Sequence, residues 1–577
     1  MSTQEKELTG YPSIDKPWLK YYSEEDKNLI IPNCSIYEHM YNCSKQFADK
    51  VCLEFFNVKI KYSQLYREID RVATALINFG IKQGEIVSVC LPNIPEVAYT
   101  FYAINKIGAV ANMLDPRSSE SQLKDALKNA DSKLLITIDI AAIKFEKIYS
   151  DTNVKTIVTV SAINSLPKLI QYFAKKKDAS LNVDIKDKLI FNSWNTFLKK
   201  YGKKVEVRNA DYIEDAPAVI AYTGGTTGVS KGAIMTNRNL NSIIAMNEKM
   251  HFNVEPGDRA LVIAPPWTYY GLNNALNADL CMGIVSILIP KLGADELGKL
   301  VFEKKPNQII TVPSALVGLM NEKLLEKENL GYLKEIIVGA DKLDETLEQD
   351  FNKYLQGHNC PIKLSKGYGM TEVTAAASYS KKNSNCIGGS GIPYVGNIIT
   401  AFEEENGEYK ECKCGEKGEL AISGPSLMRG YFGVASSETA NVLKAHSDGS
   451  VWVHTGDIGH IDEDGRVYVD GRIKRMFVKN GFKVFAAEVE AVILKHSNIA
   501  NCAVVAIPDD VKGYIEKAFV VLKDKSADAD KVLAEVVKNC TDGLFDYEVP
   551  ELFEFIDTMP LTGMGKVDYR ALECKSN

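Results

Sequence analysis

The densest chemistry in this 577-residue sequence lies at Tyr222-Thr223-Gly224-Gly225-Thr226-Thr227-Gly228-Val229-Ser230-Lys231-Gly232. Four glycines allow a backbone to approach a ligand closely, three threonines and a serine carry hydroxyls, and Lys231 adds a positive charge. Exposed amides, hydroxyls and an ammonium together suit a cradle for phosphate oxygens. The stretch is not a Walker A loop, because Gly232 rather than Ser or Thr follows Lys231. Its alternative reading is a glycine-rich structural turn. The cysteines point to no second chemistry: of twelve, only Cys412 and Cys414 lie close together, and no partner at zinc-site spacing follows them. Reduced thiols and a cytoplasmic location are the expectation.

A phosphate cradle needs a rigid frame. The apolar run Ala216 to Ala221 leads into it as a strand would. Upstream, Leu65, Ile69, Val72, Leu76 and Ile77 recur at helical spacing and stop near Gly80, which predicts an amphipathic helix. Apolar runs at 84–93, 133–140, 154–161, from 308 and from 333 read as strands, with a helical stretch around 97–107 between the first two. Strand and helix alternate, so the fold class is α/β with a large body. The apolar segment 281–290 is short enough for a buried strand or helix end. The lysine-rich stretch 179–212 reads as a surface excursion, except around its apolar piece at 192–202, and 403–419 as a charged hairpin.

Glycines and charges crowd near residue 470. Beyond them a helix at 486–496, strands at 502–509 and 517–523, and a helix at 528–540 started by Asp528 or Asp530 predict a small α+β module. The domain reading is therefore 1–473 for the large domain and 474–577 for a lid-like C-terminal one. At roughly 150 residues per domain, the length accommodates several units and excludes a small disulfide scaffold. A hydrophobic share of 45%, a charged share of 25% and a net charge of -7 describe a globular chain with no general field for nucleic acid. No run long enough to span a membrane is present in the sequence.

The glycine-threonine stretch resembles the signature loop of the adenylate-forming (AMP-binding) superfamily, whose members include acyl- and aryl-CoA synthetases, peptide-synthetase adenylation domains and firefly luciferase. The resemblance continues in order through GYGMTE at 367–372, HTGD at 454–457, DGRIKRMFVKNG at 470–481 and PLTGMGKVD at 560–568. It implies a large adenylate-forming domain of mixed sheets and layered helices, with a mobile C-terminal catalytic domain. It assigns ATP phosphates to Thr223, Gly224, Gly225, Thr226, Thr227, Gly228 and Lys231. Tyr368 is implied against adenine, Thr371 at the α-phosphate, Glu372 at Mg2+, Asp457 on the ribose hydroxyls and Arg472 near ribose or phosphate. Lys566 is implied as the catalytic ammonium and Lys474 as the hinge, with the Val478 to Gly481 segment serving thioester formation. Arg475 reads as plain surface charge, and His454 as a local packing or hydrogen-bonding residue.

Near the acyl pocket implied by the resemblance, Trp267, Tyr269, Tyr270 and Gly271 can enclose an aromatic or medium-length aliphatic tail, beside Gly339 and Ala340. No aspartate occupies 264–272 to receive an ammonium, which argues against amino-acid substrates. The segment also lacks the histidine that many acyl- or aryl-CoA relatives carry there. The implied function is activation of a carboxylic acid by Mg-ATP to acyl-AMP, followed by thioester formation with coenzyme A. Alternatives are transfer of an acyl or aminoacyl group to a separate acyl-carrier protein, and a nucleotide-binding scaffold without catalysis.

Overall fold

The structure is a computed structural model that describes residues 8–576 except 169, 172–189, 204–206, 224–229, 294–295, 406, 480–481, 510 and 563–565. Its helices follow the apolar spacing of the sequence. Helix Tyr62–Phe79 buries Leu65, Ile69, Val72 and Leu76, and Gly80 ends it at a φ of 100°. That left-handed conformation suits glycine and lets its N–H close on the carbonyls of Leu76 and Ile77. Ile77 departs from the expected buried face and is 37% exposed, because it lies about 100° around the helix from Leu76.

Two large sheets form the body. One has eight strands, in the order Gly430–Phe432, Gly232–Thr236, Pro217–Tyr222, Val110–Met113, Ile86–Cys90, Leu134–Ile138, Thr156–Val160 and Phe191–Ser193. From Pro217–Tyr222 to Phe191–Ser193 its strands run parallel, and Leu134–Ile138 is buried along its whole length, as strands covered on both faces must be. The second sheet has nine strands and includes Arg259–Val262, Gln308–Thr311, Glu335–Val338 and Ser365–Tyr368 as parallel neighbours. The segment 281–290 does both things its length allowed: helix Ala278–Met282 ends at Gly283, and strand Val285–Leu288 follows. Within the predicted surface excursion, helix Trp194–Tyr201 buries Trp194, Phe197 and Leu198, so that piece belongs to the core.

A third, antiparallel sheet carries Ile398–Glu405, Glu408–Glu411, Gly418–Ser423, Leu443–Ala445, Val451–Ile461 and Val467–Arg472. The chain leaves this sheet at Arg472, makes one 3-10 turn at Ile473–Arg475, and enters the hairpin Met476–Lys479 and Phe482–Phe485. Phe477 and Val484 already pack in a separate apolar cluster with Val489, Ile493, Val504, Val520 and Val536. Helix Ala486–Ile493, strands Ile499–Asp509 and Gly513–Leu522, and helix Ala529–Gly543 complete the expected module, with the Asp528 carboxylate accepting the N–H groups of Asp530 and Lys531. A further strand, Leu552–Phe555, runs parallel to Gly513–Leu522. No described helix is long and apolar enough to cross a membrane, and all twelve cysteines are free thiols.

Strand Ser365–Tyr368, which delivers the GYGMTE segment, is anchored by an ion pair sealed from water. The Lys366 ammonium meets the Glu348 carboxylate with side chains 6% and 1% exposed, and also donates to the Cys386 carbonyl. Removing one partner strands a buried charge, whereas the intact pair is neutral. Lys366→Met should therefore destabilise the large body by roughly 3–5 kcal/mol. All four tryptophans precede residue 473, so their fluorescence in urea reads this body selectively; an unchanged midpoint would show that Glu348 finds another partner.

Candidate functional site

The three large-body sheets converge where the sequence motifs meet. Strands Pro217–Tyr222 and Gly232–Thr236 pair antiparallel and hold the ends of the glycine-threonine loop. The Thr223 amide donates to the Lys231 carbonyl at 2.9 Å, the Lys231 amide to Thr223 Oγ1 at 3.1 Å, and Ser230 Oγ to the Thr223 carbonyl at 2.6 Å. The loop neck is thus closed by its own hydroxyls. Gly224, Gly225, Thr226, Thr227 and Gly228 lie outside the described residues. The Lys231 ammonium pairs with Glu438 and sits 5.2 Å from the centre of the Tyr431 ring.

Tyr431 links two sheets and was not singled out in the sequence. Strand Gly430–Phe432 pairs with Gly232–Thr236 at the edge of the eight-stranded sheet, and the Tyr431 hydroxyl donates to Glu372 Oε1 at 2.5 Å. Glu372 stands in the 3-10 turn Thr371–Val373 beyond the nine-stranded sheet and is 7% exposed. Burial pushes its carboxyl up, partly offset by the Tyr431 hydrogen bond and by the charges of Arg472 and Lys231. Thr371 is half-buried in the same turn.

The third sheet supplies the opposite wall. Register pairs Asp457 directly with Arg472 across strands Val451–Ile461 and Val467–Arg472. Arg472 Nε reaches Asp457 Oδ1 at 2.8 Å, and the Tyr368 hydroxyl donates to Asp457 Oδ2 at 2.7 Å. Burial raises the Asp457 carboxyl, and Arg472, Tyr368 and Lys566 each oppose that rise. His454 is buried and spends both nitrogens locally, on Glu419 Oε2 at 2.8 Å and on His446 Nε2 at 2.9 Å.

Lys566 comes from the far end of the chain, beyond the isolated bridge partner Leu561, and is half-buried. Burial lowers its pKa, the nearby Arg472 charge adds to that, and Asp341 and Asp457 act against it. Its ammonium therefore shares one electrostatic field with the residues at 341, 457 and 472. Asp341 follows Gly339 and Ala340 and also acts on Arg475, less strongly than Glu490 and Tyr569 do. Arg475 is not plain surface charge: it pairs with Glu490 and stacks 3.7 Å from the centre of the Tyr569 ring. Both residues were legible as types but not as partners, since sequence separation hides their proximity. Lys474 lies in the turn Ile473–Arg475, and Asn480 and Gly481 lie outside the described residues.

The aromatic segment divides. Tyr269 is 1% exposed, with its hydroxyl held against the carbonyls of Val219 and Ala233 at 3.0 and 2.9 Å; it is a core residue and not part of a pocket lining. Trp267 lies under the Arg117 guanidinium at 5.0 Å, and its buried Nε1 has no hydrogen-bond partner among the described residues. The next eight residues, Tyr270–Asn277, wind as a π-helix, a geometry concentrated at functional sites and carrying no simple sequence signal. The Tyr270 hydroxyl donates to the Thr311 carbonyl at 3.2 Å, and a Cβ on Gly339 would come within 3.5 Å of that hydroxyl and 3.1 Å of the Gly367 carbonyl. Gly339 is buried there, whereas Ala340 is exposed and left-handed at a φ of 69°.

Residues 41–432 match the family model described as AMP-binding enzyme, and residues 488–566 match the AMP-binding enzyme C-terminal domain. The chain is 30% identical to a long-chain-fatty-acid–CoA ligase of Bacillus subtilis (strain 168), over 96% of this chain and 97% of that protein. It is 24% identical to 4-coumarate-CoA ligase 1 of Narcissus pseudonarcissus, over 95% of each. Among solved structures, ATP-bound MatB from Rhodopseudomonas palustris superposes with a TM-score of 0.79 at 23% identity, covering 93% of this chain and 98% of that one.

Gly271 enters the π-helix at a point where no side chain fits: a Cβ would lie 2.1 Å from the Pro265 carbonyl oxygen and 2.5 Å from that of Ala264. Close packing against these carbonyls accounts for the glycine. Gly271→Ala should cost about 1–3 kcal/mol through forced backbone movement. Thermal unfolding followed by tryptophan fluorescence measures it, and an unchanged midpoint would mean the turn yields without strain.

Proposed function

Because this chain belongs to the AMP-binding enzyme family, we propose that it activates a carboxylic acid with ATP and passes the acyl group to coenzyme A. In the first half-reaction a carboxylate oxygen bonds to the α-phosphorus of ATP as the bond to pyrophosphate breaks. In the second, the coenzyme A sulfur bonds to the acyl carbon, AMP leaves with the former carboxylate oxygen, and the thiol proton passes to solvent. The acid carries an apolar or aromatic tail. Trp267 and Tyr270 supply apolar surface for it, while the absence of an acidic residue from 264–272 disfavours an ammonium-bearing substrate.

The supporting observation is the shared field of Lys566, Asp457 and Arg472, because it joins the last motif of the chain to the third sheet of the large body. Asp457 offers two carboxylate oxygens to the ribose diol, Tyr368 an aromatic face to adenine, and Thr223, Thr371 and Lys231 donors to phosphate. Lys566 opposes the negative charge that gathers as carboxylate approaches phosphate and pyrophosphate departs. Partial burial makes that ammonium more effective, since a drier setting screens its field less. Glu372 fits a magnesium ion as a buried, hard carboxylate ligand, and the ion would draw charge from the phosphates. In this reading 474–577 is the moving domain, and the turn Ile473–Arg475 its joint.

Three measurements test the proposal. Acid-dependent pyrophosphate release should occur with long-chain fatty acids or hydroxycinnamic acids and not with amino acids, and Lys566→Ala should slow adenylation at least about 100-fold while leaving the chain folded. Near-normal single-turnover adenylation by that variant would remove Lys566 from the reaction, and no release with any acid would remove the function. Lys474→Pro should impair thioester formation more than adenylation, because proline fixes φ and deletes an N–H in the joint. Equal losses in both half-reactions would count against a joint at this residue.

A further inference from the structure

Outside the site described above, three side chains with different metal-binding chemistry meet between two helices. His39 and Cys43 stand four residues apart on helix Ile36–Ser44 and so share one face. Glu248 faces them from helix Asn237–Met250. One ligand atom of each lies within 4.8 Å of the other two. His39 is buried, Cys43 half-buried and Glu248 exposed, which leaves the group open to solvent on one side.

The surroundings prepare the imidazole. His39 Nδ1 is 3.1 Å from Asn241 Oδ1, and the Asn241 amide nitrogen donates to the Cys34 carbonyl at 2.8 Å. That second bond fixes which end of the amide faces the ring, so Nδ1 carries a proton and Nε2 is the nitrogen left for a ligand. An imidazole held through its other nitrogen is the usual arrangement around a bound metal. The Cys281 thiol, from helix Ala278–Met282, neighbours Cys43 and lies 3.8 Å from Asn277 Oδ1.

We propose that His39, Cys43 and Glu248 bind one thiophilic divalent cation of the Zn2+ type, with Asn241 orienting the imidazole and Cys281 flanking the sulfur. Thiolate, imidazole and carboxylate are the donors zinc takes, whereas magnesium prefers oxygen alone. Zinc bond lengths place tetrahedral ligand atoms roughly 3.3–3.8 Å apart, so side-chain rotation suffices to close the present spacing. Three protein ligands leave one position for water. On loading, the Cys43 sulfur exchanges its proton for the cation and the proton passes to solvent. The bound ion would tie helix Ile36–Ser44 to the helix that follows strand Gly232–Thr236, and thereby brace the strand leaving the glycine-threonine loop.

The test uses the full chain, reduced and stripped with a chelator, and titrated with Co2+ as a spectroscopic probe. One equivalent should produce tetrahedral visible bands and a thiolate charge-transfer band. One equivalent of Zn2+ should displace it and raise the melting temperature, and excess Mg2+ should do neither. Cys43→Ser should lose the charge-transfer band. Glu248→Gln, at an exposed position, should weaken cobalt binding at least about 10-fold. Absence of stoichiometric binding, a charge-transfer band that survives in Cys43→Ser, or unchanged affinity in Glu248→Gln would each overturn the proposal.

Discussion

Two carboxylates buried at one sheet junction, facing cations that stay partly in water, set the constraint on which this structure depends. Asp457 and Glu372 are almost fully buried, and each is tolerable only because hydroxyls and positive charges surround it. Arg472 and Tyr368 hold one, while Tyr431, Lys231 and Arg472 support the other. These partners come from three different sheets, so the charges can be satisfied only when all three sheets are docked. The site is in this sense a product of packing, and its polar residues report on the assembly of the whole large body.

The same logic extends to the small module. Lys566 shares the field of Asp341, Asp457 and Arg472, and Lys417 of the large body reaches Glu488 of the module at 2.9 Å. Arg475, in the turn Ile473–Arg475, is held by Glu490 and Tyr569 of the module. These two contacts from module to body are polar, while the module keeps its own apolar cluster around Val489, Val504 and Val520. Polar contacts between separate cores accord with the movement proposed for 474–577, since apolar surface once joined resists parting.

Packing glycines and one irregular helix shape the other side of the site. Gly271 lets the π-helix start against the carbonyls of Ala264 and Pro265, and Gly339 lets Tyr270 and the Gly367 backbone approach each other. Tyr269 and Tyr270 are neighbours with opposite duties: the first is pinned to sheet carbonyls in the core, the second reaches Thr311 beside Gly339. Identical residue types one position apart are separated only by the direction in which the local backbone turns them.

Residue type and order along the chain determined the family resemblance, the strand-helix alternation and the charged or hydroxyl groups of the nucleotide motifs, because those properties are local. Leu65, Ile69, Val72 and Leu76 were legible as one buried helix face for the same reason, and Asp528 as a cap. Tertiary structure alone decided the partners. The meeting of Tyr431 with Glu372, of Asp341 with Lys566, and of His39 and Cys43 with Glu248 depends on contacts across 59, 225 and more than 200 positions of sequence, which no local pattern encodes. It also decided that Tyr269 is core, that Arg475 is stacked, that Tyr270–Asn277 winds as a π-helix and that Ile473–Arg475 makes a single 3-10 turn. Burial and distance are collective properties of the folded chain, and they turn a list of reactive side chains into a site.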